Sequence, residues 1–170
     1  MATTIRKTSP QVDAMATQFN LVKKQVGAGS SVHNDITESA RRVSSADASD
    51  LATSLTLVNE ILTKYELHRV DYGDGLAHLA ADSTNTISSP VATDLATAIT
   101  LANELKTDYN AHRSQSGVHH NNDAGNAITS TNASDQSSLN TLLNELKTDF
   151  NAHMIAAPTN CAPGYRIVAA

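Results

Sequence analysis

Residues 94–112 read DLATAITLANELKTDYNAH, and the pattern returns as DLATSLTLVNEILTKYELH at 50–68 and DQSSLNTLLNELKTDFNAH at 135–153. The three copies align without gaps at offsets of 44 and 41 residues. Each opens on Asp and closes on His. Between them recur a Leu (57, 101, 142), an Asn-Glu pair (59-60, 103-104, 144-145), a Thr (63, 107, 148) and an aromatic (Tyr65, Tyr109, Phe150). Repetition at this period marks a unit that buries its apolar face against its neighbours.

Each copy carries the period of a helix. Ala98, Leu101, Ala102, Leu105, Tyr109 and His112 follow 3/4 spacing, as do Leu139, Leu142, Leu143, Leu146, Phe150 and His153. Ser45, Ser89 and Ser130 each stand five residues before the recurring Asp, and Ser89-Pro90 has the form of an N-cap followed by Pro at the first helical position. This reading puts the Asp inside the first turn and predicts helices of roughly 22 residues, about 33 Å long. The expected fold is all-α: three repeat helices plus an N-terminal helix, in an up-down bundle or a small helical stack.

The rest of the chain divides around the repeats. Residues 1–31 are expected to hold the N-terminal helix, which starts at Ser9-Pro10 with Val12, Met15, Phe19, Val22 and Val26 on one face, and a joint at Gly27 and Gly29. Residues 32–157 form the repeat domain, and 158–170, PTNCAPGYRIVAA, an extended arm. The linkers of roughly 18–20 residues are long for a tight bundle. They recur too: His78 matches His119, Asp82 matches Asp123, Asn85 matches Asn126 and Ile87 matches Ile128, so they are expected to be ordered, with short extended stretches at 86–87 and 127–128.

Composition narrows the function. Charged residues make up 17% of the chain, below the usual level of about 25%. Aromatics are 4% and Trp is absent, so a core rich in Ala and Leu has modest burial per subunit and leads us to expect a homo-oligomer or a docked subunit. A net charge of -5 without a Lys/Arg cluster argues against nucleic acid as a partner. No apolar run approaches the ~20 residues of a membrane span, and the N-terminus does not read as a secretory signal. Synthesis in a cytoplasm without membrane association is the expectation. The single Cys161 leaves no partner for an internal disulfide; a free thiol is expected, with an intersubunit disulfide as the alternative.

Chemistry centres on the histidines. His68, His112 and His153 close the helices on the apolar stripe, three residues after the aromatic, while His78 and His119 recur in the linkers. One reading makes His68, His78, His112, His119, His153 and Asp123 candidate metal ligands, because neutral imidazoles bind transition metals well. The other is structural: a His at a helix C-terminus caps carbonyls and suits the dipole, and a loop His hydrogen-bonds a recurring Asp. No HExxH or paired-Cys spacing selects the metal reading. There is no G-x-S-x-G elbow, P-loop or dinucleotide glycine pattern. Glu60, Glu104 and Glu145 read as a solvated face or subunit contact, so no enzyme and no cofactor are expected.

NELKTDYNAH and NELKTDFNAH, followed in one case by a G-V-H linker with D-x-x-N-x-I, resemble repeats in small structural proteins of tailed bacteriophages, over roughly residues 45–158. The first copy, NEILTKYELH, departs from the pattern. The resemblance implies a virion component such as a capsid decoration, head fibre or other accessory subunit, made in the host cytoplasm and partnered by coat proteins. Independently of the resemblance, the apolar stripe is expected to drive self-association, with Leu101, Leu105, Tyr109, Leu142, Leu146 and Phe150, and Tyr165 in the arm, forming the interface with other subunits. The alternatives are a metal-binding helical protein using the recurring His and a fibre or adhesion module that binds a receptor.

Overall fold

The computed structural model describes residues 42–70, 81–115 and 122–154. The expected N-terminal helix, His78, His119, Cys161 and the arm with Tyr165 lie outside the described residues. Within them the fold is all-α, without a strand: α1 (Leu51–Arg69), α2 (Leu95–Ser114) and α3 (Gln136–Met154), with one 3-10 turn at Ala124–Asn126.

The helices begin later than the Ser positions suggest. Asp50 and Asp94 are the N-caps of α1 and α2. Each carboxylate accepts from the backbone N–H of the Thr three residues on, and that Thr hydroxyl accepts the cap's own N–H. Asp135 and Ser138 repeat the exchange before α3. This reciprocal capping box outcompetes Ser89-Pro90 because it satisfies two otherwise orphaned donors at once. The helices are accordingly 19, 20 and 19 residues long.

An up-down arrangement is also not what forms. His68, His112 and His153, all in last turns, meet with ring centroids 5.0–5.8 Å apart, so the three helices run parallel. Aligned positions of the repeat then share layers. Ser54/Ala98/Leu139, Leu57/Leu101/Leu142, Val58/Ala102/Leu143, Ile61/Leu105/Leu146, Tyr65/Tyr109/Phe150 and His68/His112/His153 are all buried. Leu101, Leu105, Tyr109, Leu142, Leu146 and Phe150 therefore do not present a face to another subunit. The stripe expected to drive self-association is occupied by the other two helices of the same chain.

Parallel helices oblige the chain to travel back after each one. A helix of 19 residues rises about 28 Å, a distance that roughly nine extended residues cover. The return from Asp82 to Asp94 runs down the groove between α1 and α2. Tyr65 Oη donates to the Asn85 carbonyl, Ile87 N donates to Glu66, Ser88 and Ser89 donate to Glu104, and Asn59 holds Ala92.

The recurring Asn-Glu pair makes this return possible. Asn59 accepts from Ala92 N–H at 2.8 Å and donates to the Ala92 carbonyl at 2.9 Å. Asn103 holds Ala133 in the same way, and Asn144 holds Ala48. The partner is always the segment entering the next helix, and α3 closes the ring onto the segment before α1. Each Glu grips the segment entering its own helix: Glu60 takes Ser44 and Ser45, Glu104 takes Ser88 and Ser89, Glu145 takes Thr129 and Ser130. These glutamates are clamps rather than the solvated face expected of them. Partial burial pushes their carboxyls up, but the hydroxyl and backbone N–H bonds outweigh it and hold all three at about 2.

Two outcomes follow. Asn103→Ala strips the Ala133 backbone of both partners, and denaturant unfolding should register a loss of about 2–3 kcal/mol; a loss no larger than that of an exposed Asn would contradict the clamp. For the glutamates, a folded pKa below the ordinary 4.5 means stabilisation that is complete above that value and lost as pH falls towards about 2. Unfolding free energy should decline through that window, and Glu104→Gln should flatten the decline.

Candidate metal centre

The last layer of the core consists of three imidazoles, one from each helix. His68, His112 and His153 sit on the shared axis of the bundle and are 0%, 0% and 1% exposed. One ligand nitrogen from each lies within 4.8 Å of the others. The rings meet edge to face, with interplanar angles of 70–87°. Below them lies the aromatic layer: Phe150 stands 5.7 Å from His68, Tyr65 5.7 Å from His112 and Tyr109 5.8 Å from His153.

Local chemistry fixes two of these rings. Asp82 follows α1 and is tied to its end, where Asp82 N–H donates to the Arg69 carbonyl and Arg69 Nη1 donates to the Asp82 carbonyl. From this anchor the carboxylate reaches across to α2, and Oδ2 lies 3.0 Å from His112 Nδ1. Asp82 Oδ1 accepts the backbone N–H groups of Thr84 and Asn85, and Oδ2 also accepts Asn85 Nδ2 and Gln115 Nε2. One repeat later Arg113 anchors Asp123 identically, and Asp123 Oδ2 lies 2.8 Å from His153 Nδ1. Burial raises the carboxyls of Asp82 and Asp123, but hydrogen bonds from His112 and Asn85, and from His153 and Asn126, win and carry both well below the usual carboxylate range. Both aspartates are thus ionised acceptors. A neutral imidazole that gives Nδ1–H to such an acceptor carries its lone pair on Nε2.

Four members of the expected ligand set, His68, His112, His153 and Asp123, fall within the described residues. His68, His112 and His153 come together. Asp123 stands behind His153 as the acceptor that orients it. Asp82 plays the same part for His112, although among the recurring carboxylates the sequence singled out Asp123 alone. The signal was available: both Asp–His pairs are separated by 30 residues. The recurring Asp reaches the His of the next helix, while the loop histidines His78 and His119 lie outside the described residues.

Comparison with protein-family models, curated proteins and solved structures finds no match to the chain. No helix among the described residues is long and apolar enough to cross a membrane.

Asp82→Ala should cost about 2–4 kcal/mol, because it leaves the buried donors of Asn85 and His112 without their acceptor. Asp82→Asn, which keeps one acceptor oxygen, should cost less. Asp47→Ala, on an exposed carboxylate, serves as the control in the same denaturant series; equal losses at 47 and 82 would remove Asp82 from its supporting role.

Proposed function

We propose that the chain is a non-enzymatic structural subunit of a bacteriophage particle, a capsid decoration or similar accessory protein that packs against coat neighbours. The observation that carries this reading is where the repeated polar residues go. The side chains of the recurring Asn-Glu pair and of Asp82 and Asp123 are committed to holding helices and returns together, and so are the hydroxyls of Tyr65 and Tyr109. A reactive centre ordinarily breaks repeat symmetry, because only one copy needs the chemistry. Here the repeated positions build a scaffold. The resemblance of NELKTDYNAH and NELKTDFNAH to phage structural repeats supplies the particle. The surface suits a packed coat: it is rich in Thr, Ser and Ala, with shallow depressions at Ser89, Pro90, Ala96, Thr97 and Thr100 and at the matching Ser45, Ala46, Ala52, Thr53 and Thr56.

Because the apolar stripe is satisfied within one chain, docking falls to these polar outer faces and to the segments flanking the bundle. Gradient-purified particles from a culture expressing the chain should contain it at a fixed ratio to the major coat protein by quantitative mass spectrometry. Its recovery only in the soluble lysate would overturn the assignment. A stable trimer of the isolated chain by light scattering, joined to particles at one vertex or tip, would move it to the fibre class.

A further inference from the structure

We infer that His68, His112 and His153 form a binding site for one divalent late first-row transition-metal ion, of which zinc and copper are the best fits, with a water molecule completing the coordination. This goes beyond the structural-subunit reading and does not depend on it.

Four observations converge. The first is the donor set. Three imidazole nitrogens from three different helices lie within 4.8 Å of one another. Some point lies within about 2.8 Å of all three such nitrogens, so inward ring movements of no more than roughly 0.7 Å reach the 2.0–2.1 Å of a zinc–imidazole bond. The second is the support behind the ligands. Metal-binding His residues give their other ring N–H to a carboxylate, which fixes the tautomer and makes the ligand nitrogen more basic. Asp82 and Asp123 occupy that position at 3.0 and 2.8 Å, and each is itself held by an Asx turn and by an Arg on the preceding helix.

The third is the field. The three helices are parallel and all end at this layer, so three C-terminal dipole ends place partial negative charge around it. That field favours a cation and disfavours an anion, which argues against a phosphate or carboxylate ligand. The fourth is burial. A layer built only for packing would be served by the Leu and aromatic residues used in the layers beneath. Three adjacent imidazoles instead bring six polar ring nitrogens into the end of the core, where apolar side chains would pack without them. Nitrogen donors also exclude the hard cations, since magnesium and calcium select oxygen. In this arrangement the ion is a staple: it ties together the ends of three helices that are far apart in sequence.

The test uses the full chain, purified without a polyhistidine tag and stripped with chelator. Titration with cobalt(II) should give one ion per chain with the ligand-field bands of a low-symmetry nitrogen site, and zinc should displace it. Zinc should raise the melting temperature. His68→Phe and His153→Phe, checked for retained helicity by circular dichroism, should lose the ion. Asp82→Asn should weaken cobalt affinity roughly 10–100-fold while keeping one site per chain. Absence of one-to-one binding in the wild-type chain, or full binding by a folded His68→Phe variant, overturns the proposal. A sulfur-to-cobalt charge-transfer band would assign the ion to Cys161 and overturn it as well. Should the Phe variants not fold, the cobalt spectrum and the Asp82→Asn affinity still decide the matter.

Discussion

Three parallel helices joined in sequence impose one requirement that everything else in this chain answers: each connection must run back along the whole bundle in extended form. An extended backbone exposes an N–H and a C=O at every residue, and a buried one must pair them. In a sheet a neighbouring strand would do so. Here the neighbours are helices, whose backbone groups are already used. The side-chain amide solves the problem, because Asn presents a donor and an acceptor side by side and so imitates a strand edge at one residue. Asn59, Asn103 and Asn144 do this at Ala92, Ala133 and Ala48. A second tier, Asn110 on Ile128 and Asn151 on Val43, repeats it higher up the groove.

The first repeat shows how far the device bends. At the second tier α1 carries Glu66 in place of Asn, which accepts the Ile87 N–H but has no donor for its carbonyl. Like Asn110 with Arg113, Glu66 also accepts from Arg69, which in turn holds the Asp82 carbonyl. Lys106 and Lys147 reach Asn132 and Asp47 across their grooves, and α1 places Leu62 at that position. Two of the differences that made the first copy look divergent in sequence, Leu62 and Glu66, fall on the groove between α1 and α2. They change how the return is held, while the core keeps an aliphatic residue in the layer of Ile61, Leu105 and Leu146.

Much of this was legible in the sequence. The 3/4 stripes became buried layers almost position for position, because apolar periodicity reports directly on burial. The recurrence of Asp82, Asn85 and Ile87 marked the stretch, residues 81–94, that lies along the groove between α1 and α2. The helix starts were misplaced because Ser-Pro and Asp-x-x-Thr are both good starts, and only the linker's need for Ser88 and Ser89 as donors to Glu104 decides between them. The parallel arrangement was missed for a related reason. Linkers this long look wasteful on the ends of an up-down bundle, yet they match the return length of a parallel one. Near-identical repeats favour equivalent surroundings, which a closed three-fold ring supplies and an up-down arrangement does not.

The same symmetry explains why the histidines could be ranked but not joined by sequence alone. In an up-down bundle His68 and His112 would lie at opposite ends, and no three-ligand set could form. Once the helices are parallel, a residue repeated at the helix end must meet its two copies on the axis. A repeated Leu there would pack as the lower layers do. A repeated His brings lone pairs, ring N–H groups and a demand for acceptors, and Asp82 and Asp123 arrive from the preceding helix ends to meet that demand. The returns that hold the bundle together thus also aim the imidazoles. The clamps of the groove and the nitrogen-lined end of the core are one construction, and a change that loosens the return between α1 and α2 reaches His112 through Asp82.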